Sequence, residues 1–224
     1  MEIKTYDPQD QYIKALIYGP PKSGKTTFAG TAKNAVFASA EGGLLSIAHK
    51  RPEFKDIKSI ADLTELYNFL KKGEHKYNTV VIDSITEINE IIKSDIEKKT
   101  GRTVKDEDWD ELGKRIRKVL RNFRDLPMHV VFIAQERYFT NKEKIEKIAP
   151  SLNGKSAADI AYFMDVVGYP QLESDGRRWM QTEYNRKYFT GSRSSQINNQ
   201  TPPDFEVWKE LVLAESVKEG QETN

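Results

Sequence analysis

One segment near the start of the chain constrains its fold and chemistry more than any other feature. Residues 19–26 read Gly-Pro-Pro-Lys-Ser-Gly-Lys-Thr, which fits the pattern G-x-x-x-x-G-K-[ST], and the mostly apolar residues 13–18 before it are typical of a β-strand. A strand, a glycine-rich turn and a helix in this order can surround phosphate oxygens with backbone N–H groups and the positive end of the helix. The sequence therefore predicts a nucleoside-triphosphate site; the alternative is a turn that has this composition by chance. The predicted contacts are Gly19, Pro20, Pro21, Lys22, Ser23, Gly24, Lys25, Thr26 and Thr27.

The residues of this segment, here called the phosphate loop, have separate predicted roles. Gly19 and Gly24 have no Cβ, so the backbone can come close to a phosphate there. Lys25 is predicted to reach the β- and γ-phosphates as a catalytic residue, and the Thr26 hydroxyl is predicted to bind Mg²⁺. ATP and Mg²⁺ are therefore the predicted cofactors.

Composition narrows the class of protein. The 224 residues suffice for an α/β domain with a sizeable core, and we expect one domain over residues 1–224. Charged residues make up 31% but nearly cancel to a net charge of +1, so any nucleic-acid surface must be a local patch. The absence of cysteine excludes disulfides, thiolate metal sites and a cysteine nucleophile. Because no apolar run has membrane-spanning length and the N-terminus does not read as a signal peptide, the expected location is the cytoplasm, with no membrane partner.

Short apolar runs alternate with longer amphipathic stretches along the chain, which is typical of a sheet covered by helices. The predicted fold is α/β, with a mostly parallel central sheet flanked by helices and an antiparallel C-terminal extension. The predicted strands are 13–18, 35–39, 79–82, 130–134 and 165–169, and the extension covers 177–183 and 187–190.

Three helices are predicted from the spacing of apolar residues and from end signals. The first covers residues 85–96, where isoleucines recur every three or four residues and Ser84 with Glu87 forms a capping box. The second covers residues 112–123 and ends before a proline. The third covers residues 205–217, after two prolines, and leads into a polar tail over 218–224.

Three further polar residues follow predicted strands, and the carboxyl ends of parallel strands line the ligand crevice of such sheets. Asp83 ends the apolar run Val-Val-Ile-Asp and is predicted to hold Mg²⁺ together with Thr26. Glu41 follows the second strand and is the candidate base for the attacking water, since Ser84 stands where many such ATPases have a glutamate. Gln135 ends the fourth strand and could report which nucleotide is bound. The alternatives are a strand-capping aspartate, a solvent-facing glutamate and an ordinary polar strand end.

The order of these elements resembles the RecA-like recombinase core. The loop is followed by strands that end in Ala40-Glu41, in Asp83-Ser84 and in Ala134-Gln135, whereas the classical AAA+ pattern has Asp-Glu at the second of these places. More narrowly, the chain resembles the phage-encoded RecA-core ATPases known as phage nucleotide-binding proteins, some of which are proposed single-strand annealing proteins. It shares their Glu-Gly-Gly at 41–43 and their Lys-Ser-Ala-Ala-Asp-Ile-Ala at 155–161, and the resemblance covers about residues 12–193.

This resemblance implies roles for several residues. Glu41 would be the catalytic base, Asp83 the Mg²⁺ ligand and Gln135 a catalytic residue that senses the nucleotide. A basic residue near the sixth strand would enter the ATP site of a neighbouring subunit and stabilise charge on the leaving phosphates. The alternative is a set of surface charges without that role. The candidates for this catalytic residue are Arg186 first, then Lys187 and Arg193.

The resemblance also implies a DNA-contacting loop between residues 137 and 155. Lysines would follow the phosphates there and aromatic side chains would stack on bases, and the alternative is a solvated loop that contacts no DNA. A second basic surface is predicted on the helix over 112–123, where residues 114, 117, 118 and 121 share a face; a solvated face balanced by acids is the alternative. The predicted nucleic-acid contacts of the loop are Arg137, Tyr138, Lys142, Lys144, Lys147 and Lys155.

The predicted function is Mg²⁺-dependent ATP hydrolysis by a RecA-like phage protein that acts on single-stranded DNA in recombination or annealing, in the cytoplasm of the host cell. Single-stranded DNA, further copies of the chain and a phage single-strand-binding protein are the implied partners. About a dozen residues precede the first strand, so the segment through which recombinases polymerise is expected to be minimal. Two alternatives remain open: an ATPase that engages a protein, such as a helicase loader or packaging accessory, and a nucleotide-dependent assembly module that binds no DNA.

Overall fold

A computed structural model of the chain describes residues 12–140, 146–152 and 156–221, with the side chains of 156–159 and 215–221 excluded. Nine strands within these residues form one sheet, whose order is β3-β2-β4-β5-β1-β7-β8, with β6 paired to β5 and β9 paired to β7. The strands are β1 (Lys14–Gly19), β2 (Ala35–Ser39), β3 (Glu53–Asp56), β4 (Thr79–Asp83), β5 (His129–Thr140), β6 (Glu146–Pro150), β7 (Val166–Leu172), β8 (Arg178–Gln181) and β9 (Gly191–Ser192).

The sheet confirms the predicted α/β fold of a P-loop nucleotide-binding domain. All pairings among β3, β2, β4, β5, β1 and β7 are parallel, while β6, β8 and β9 pair antiparallel with their neighbours. Parallel strands are covered on both faces, which explains their continuous apolar runs. In β1, Leu16 and Tyr18 belong to the core on one face, while Ala15 and Ile17 belong to the core on the other.

Six α-helices in the described residues cover the sheet. One face packs against α2, α3, α4 and α5, and the other packs against α1 and α6. The isoleucine stripe of α3 is buried, and the Ser84 hydroxyl accepts a hydrogen bond from the backbone N–H of Glu87, as its capping role predicts. None of the described helices is long and apolar enough to cross a membrane. The helices are α1 (Lys25–Ala29), α2 (Ile60–Lys72), α3 (Ile85–Thr100), α4 (Trp109–Arg124), α5 (Ser156–Phe163) and α6 (Phe205–Gln221).

The structure differs from the sequence prediction mainly outside the central strands. The predicted strand over 187–190 is wrong: only Tyr188 makes an isolated bridge, to Ile148, and the short β9 follows it. The strand β3 was not predicted because it is a largely exposed edge strand without an apolar run. The helix α2 was also not predicted, although Ser59 caps it and three of its leucines are buried. The last helix extends to Gln221 instead of ending at 217, so most of the predicted polar tail is helical.

Candidate nucleotide site

The predicted site residues meet at one edge of the sheet. The strands β2, β4, β5 and β1 are neighbours and parallel, so their carboxyl ends lie side by side. Gly19 is in register with Gln135, and Ser39 is in register with Asp83. A cleft of about 460 Å³ opens at this edge, within the size range of small-molecule sites. Its lining consists of residues 21–27 together with Glu41, Gly43, Ser46, Asp83 and Arg178.

The phosphate loop includes residues with positive φ values, which glycine adopts more easily than other residues. Gly24 has a φ of 99°, in the left-handed region that favours glycine, and Lys22 has a φ of 63°. The helix that follows, α1, contains only five residues. Backbone N–H groups of the loop and the Lys25 ammonium are therefore two sources of positive charge at this end of the cleft.

The Lys25 ammonium lies at the rim of the loop. Its Nζ donates to the carbonyl oxygens of Gly19 at 2.9 Å and of Pro20 at 2.7 Å. Burial lowers the pKa of Lys25, while the nearby carboxylates of Glu41 and Asp83 act in the opposite direction. A phosphate brought to this loop would thus meet a cation that is already held in position.

Thr26 and Asp83 form the predicted metal position. The Thr26 hydroxyl donates to Oδ2 of Asp83 at 2.8 Å, and Asp83 is 3% exposed. Burial raises the pKa of Asp83 to about 6, because the carboxylate is poorly solvated there. A hydroxyl and a carboxylate beside a phosphate site are oxygen ligands of the kind that Mg²⁺ takes when phosphates and waters complete its coordination, so these residues fit the ion.

Glu41 lines the cleft, and Gln135 lies directly beside it. Oε1 of Glu41 accepts hydrogen bonds from the Ser84 hydroxyl and from Nε2 of Gln135, the latter at 2.9 Å. Among the described residues, the other carboxylate oxygen of Glu41 has no hydrogen-bond donor. The side chain is exposed, but it lines the cleft and is held by two donors. The role of Ser84 in holding Glu41 was missed by sequence reasoning, which treated Ser84 as a helix cap.

The segment after Gln135 differs from the predicted loop. Residues Glu136–Thr140 pair antiparallel with Glu146–Pro150, and we call this pair of strands the β5–β6 ribbon. Three predicted DNA contacts lie on the ribbon: Arg137, the exposed Tyr138 and Lys147. The other three, Lys142, Lys144 and Lys155, lie outside the described residues.

Hydrogen bonds connect Gln135 to the base of the ribbon. The Gln135 N–H donates to the Thr86 hydroxyl at 3.0 Å, and this hydroxyl donates to the Ser151 carbonyl at 3.1 Å. The Ser151 N–H donates back to the Gln135 carbonyl at 2.7 Å. The end of β6 is therefore attached to the residue whose side chain holds Glu41.

The three predicted trans-acting cations lie away from this cleft. Arg186 is exposed between β8 and β9, and none of the three residues lines the described cleft. The Arg193 guanidinium donates to Oδ1 of Asp165 at 3.2 Å and to the Tyr162 carbonyl at 2.7 Å, so it is already engaged within its own subunit. Lys187 accepts a backbone hydrogen bond from Ile148.

The basic face predicted on α4 is partly neutralised. Lys114 forms an ion pair with Asp110 at 2.6 Å, and the Arg121 guanidinium lies 5.1 Å from the centre of the Phe163 ring. Arg115, on the same helix, pairs with Asp95 at 2.6 Å. On the predicted face itself, Lys114 is thus balanced by an acid, as in the alternative of a solvated face.

Arg178 is a charged cleft residue that sequence reasoning missed, as it also missed Gly43 and Ser46 in the lining. It lies on β8, and its Nη1 donates to the carbonyl oxygen of Ser23 at 2.9 Å. The sequence around it, Arg-Arg-Trp-Met, has no glycine-rich or acidic pattern that would indicate a phosphate contact. Only the pairing of β8 with β7, and of β7 with β1, brings it to the loop.

Two comparisons with known proteins gave different results. None of the curated proteins compared with the chain matches it. The model of a family described as AAA domain matches residues 11–194, which include the phosphate loop, Glu41, Asp83 and Gln135. Since this match spans most of the chain, the protein belongs to the AAA-domain family of P-loop ATPase type.

Proposed function

We propose that this protein binds ATP with Mg²⁺ and hydrolyses the γ-phosphate, using Glu41 as the base. The observation that carries the proposal is the pair of hydrogen bonds that Ser84 and Gln135 donate to one oxygen of Glu41. They leave the second oxygen available to accept a proton from water beside the phosphate loop. A protein that only binds nucleotide would not need a carboxylate held in this way.

The residues divide the reaction between them. Lys25 and the loop N–H groups bind the β- and γ-phosphates and offset their charge. Thr26 and Asp83 would hold Mg²⁺, which when bound supplies charge neutralisation on the phosphates. Glu41 takes the proton as the water oxygen bonds to the γ-phosphorus and the bond to the β-phosphate oxygen breaks, which yields ADP and inorganic phosphate. Gln135 orients Glu41 and can donate to the attacked phosphate.

We further propose the narrower RecA-like assignment, in which ATP binding controls a single-stranded DNA surface on the β5–β6 ribbon. The exposed ring of Tyr138 can stack on a base, and Arg137 and Lys147 can contact phosphates. The hydrogen bonds from Gln135 through Thr86 and Ser151 support a physical connection between the γ-phosphate side of the cleft and this ribbon. Recombination or annealing is the activity that such a surface would serve.

Measured ATP turnover tests the catalytic proposal. Glu41→Gln keeps the shape of the side chain but removes the base, so kcat should fall on the order of 10²–10⁴-fold while ATP still binds. Glu65→Gln is the matched control, because Glu65 lies on α2, outside the cleft lining, and pairs with Lys55. Unchanged turnover in Glu41→Gln would place the base elsewhere.

An electrophoretic mobility assay tests the DNA proposal. A single-stranded oligonucleotide of about 50 bases should be retarded at low salt with a nonhydrolysable ATP analogue, and less so without nucleotide. No retardation would overturn the DNA proposal. It would favour an ATPase that engages a protein, since Glu136 and Glu146 on the ribbon would suit such a partner as well.

A mixing experiment tests the proposed assembly. If Arg186 acts on the site of a neighbouring subunit, Arg186→Ala and Lys25→Ala proteins should each be inactive alone and recover part of the turnover when mixed. Each variant then supplies the residue that the other lacks. Full activity of Arg186→Ala, or activity of a strictly monomeric protein, would remove this role.

A further inference from the structure

The phosphate loop has a second cation beside it, supplied by a distant part of the chain. Arg178 comes from β8, and its guanidinium both donates to the Ser23 carbonyl and lines the cleft. A Cβ added to Gly24 would lie 3.3 Å from Nη1 of Arg178, so the guanidinium lies directly against the loop backbone. Glycine at this position thus allows the loop and the arginine to approach each other closely.

The contact with Ser23 uses one nitrogen of the Arg178 guanidinium. A guanidinium carries five N–H donors in a fixed plane, and among the described residues the Ser23 carbonyl is the only acceptor that Arg178 contacts. Arg177, its neighbour on the chain, is instead held by both a backbone and a side-chain contact with Asp175. Arg178 therefore retains further donors while it lines the cleft.

The cleft is lined by three basic and two acidic side chains. Lys22, Lys25 and Arg178 face Glu41 and Asp83 around the same space. The two carboxylates lie at the ends of β2 and β4, whereas Arg178 reaches the Ser23–Gly24 turn from the opposite side, beyond β7. A nucleotide phosphate bound in the loop would lie between these two sides.

We infer that Arg178 binds a phosphate oxygen of the nucleotide within its own subunit. Because Arg178 contacts the loop at Ser23, on the side away from the proposed base Glu41, the oxygen belongs to a phosphate present in both ADP and ATP. This inference rests on the proposed nucleotide-binding function. Arg178 supplies a planar, permanently charged donor group to the loop, and such groups match phosphate oxygens well. It differs from the proposed role of Arg186, which requires a second copy of the chain.

Titration with fluorescent ADP and ATP analogues tests this inference. Arg178→Ala and Arg178→Gln should weaken both nucleotides by about 10- to 100-fold, the loss expected for a charged hydrogen bond, and Arg178→Lys should weaken them less. Arg177→Ala is the matched control and should bind like the wild type. The dependence of affinity on salt should also become shallower in the alanine and glutamine variants, because one charge contact is lost.

Two results would overturn the inference while leaving nucleotide binding intact. Wild-type affinity and salt dependence in Arg178→Gln would mean that the side chain only braces the Ser23 carbonyl, which an amide can also do. Recovery of turnover on mixing Arg178→Ala with Lys25→Ala would mean that it acts on a neighbouring subunit. If the wild type binds neither analogue, both the proposed function and this inference fail. If the wild type binds the analogues and Lys25→Ala does not, the proposed nucleotide site stands, and the affinities of the Arg178 variants then test this inference separately.

Discussion

Replacing Asp83 by asparagine should change how the stability of the nucleotide-free chain depends on pH. Asp83 is 3% exposed, and burial raises its pKa from 3.8 to about 6. Because the pKa in the folded chain lies above that in the unfolded chain, ionisation of Asp83 opposes folding. The contribution of the protonated group to stability is therefore complete below about pH 4 and is lost as the pH rises through about 6. Asparagine has a similar shape, can accept the Thr26 hydrogen bond and does not titrate.

The size of the effect follows from the two pKa values. At about 1.4 kcal/mol for each pKa unit, the wild type should lose about 2–3 kcal/mol of unfolding free energy relative to Asp83→Asn between about pH 4 and about pH 8. Burying the new amide group also has a cost, but this cost does not depend on pH. It would change the unfolding free energy of the variant by the same amount at about pH 4 and at about pH 8. The pH dependence of the difference is therefore the quantity to measure.

Urea unfolding followed by the fluorescence of the three tryptophans gives this difference directly, with a chelator present to remove divalent cations. Asp62→Asn is a control of opposite sign, since the hydrogen bond from the Ser59 hydroxyl lowers the pKa of Asp62. The Asp62 carboxylate contributes stability above its unfolded pKa, and this contribution is lost as the pH falls. The unfolding free energy of the wild type relative to Asp62→Asn should therefore increase as the pH rises. A difference for Asp83→Asn that is independent of pH, or that follows the Asp62 direction, would refute the reasoning.

The remaining predictions concern the phosphate loop and the ribbon. Lys25→Ala should abolish binding of a fluorescent ATP analogue with little change in the urea midpoint, because the hydrogen bonds of its ammonium within the described residues go to two loop carbonyls. Normal hydrolysis by this variant would contradict the loop assignment. Gly24→Ala should cost about 1–2 kcal/mol in urea unfolding because its φ is 99°, whereas Gly191→Ala has open space and should cost less. If the ribbon binds single strands, Lys147→Ala should flatten the log–log salt slope of binding by about 0.7, and Tyr138→Ala should weaken binding without changing the slope.

Much of the candidate site could be predicted because its signals are local in the chain. The glycine and lysine spacing of the phosphate loop, the carboxylate that ends β4 and the cap at Ser84 each depend on a few consecutive residues. The parallel order of the strands then follows from alternation with helices, which places Glu41, Asp83 and Gln135 at one edge. Local patterns were insufficient for β3, since an exposed edge strand lacks the apolar run that marks a buried one. The helix α2 did carry local signals, a Ser59 cap and buried leucines at 63, 66 and 70, and they were overlooked.

The other features that were not predicted depend on the pairing of strands that are distant in the sequence. Residues 187–190 look apolar enough for a strand, but only Tyr188 finds a bridge partner, while the chain after Gln135 forms a ribbon because β6 pairs with it. Arg178 is the sharpest case, since it lies 155 positions from Ser23 and reaches it only through β7 and β8. The sequence by itself identified the phosphate loop and the polar residues Glu41, Asp83 and Gln135 that meet at one edge of the sheet. Tertiary structure alone determined which further side chains face that phosphate, because residue spacing carries no information across strands joined only by the sheet.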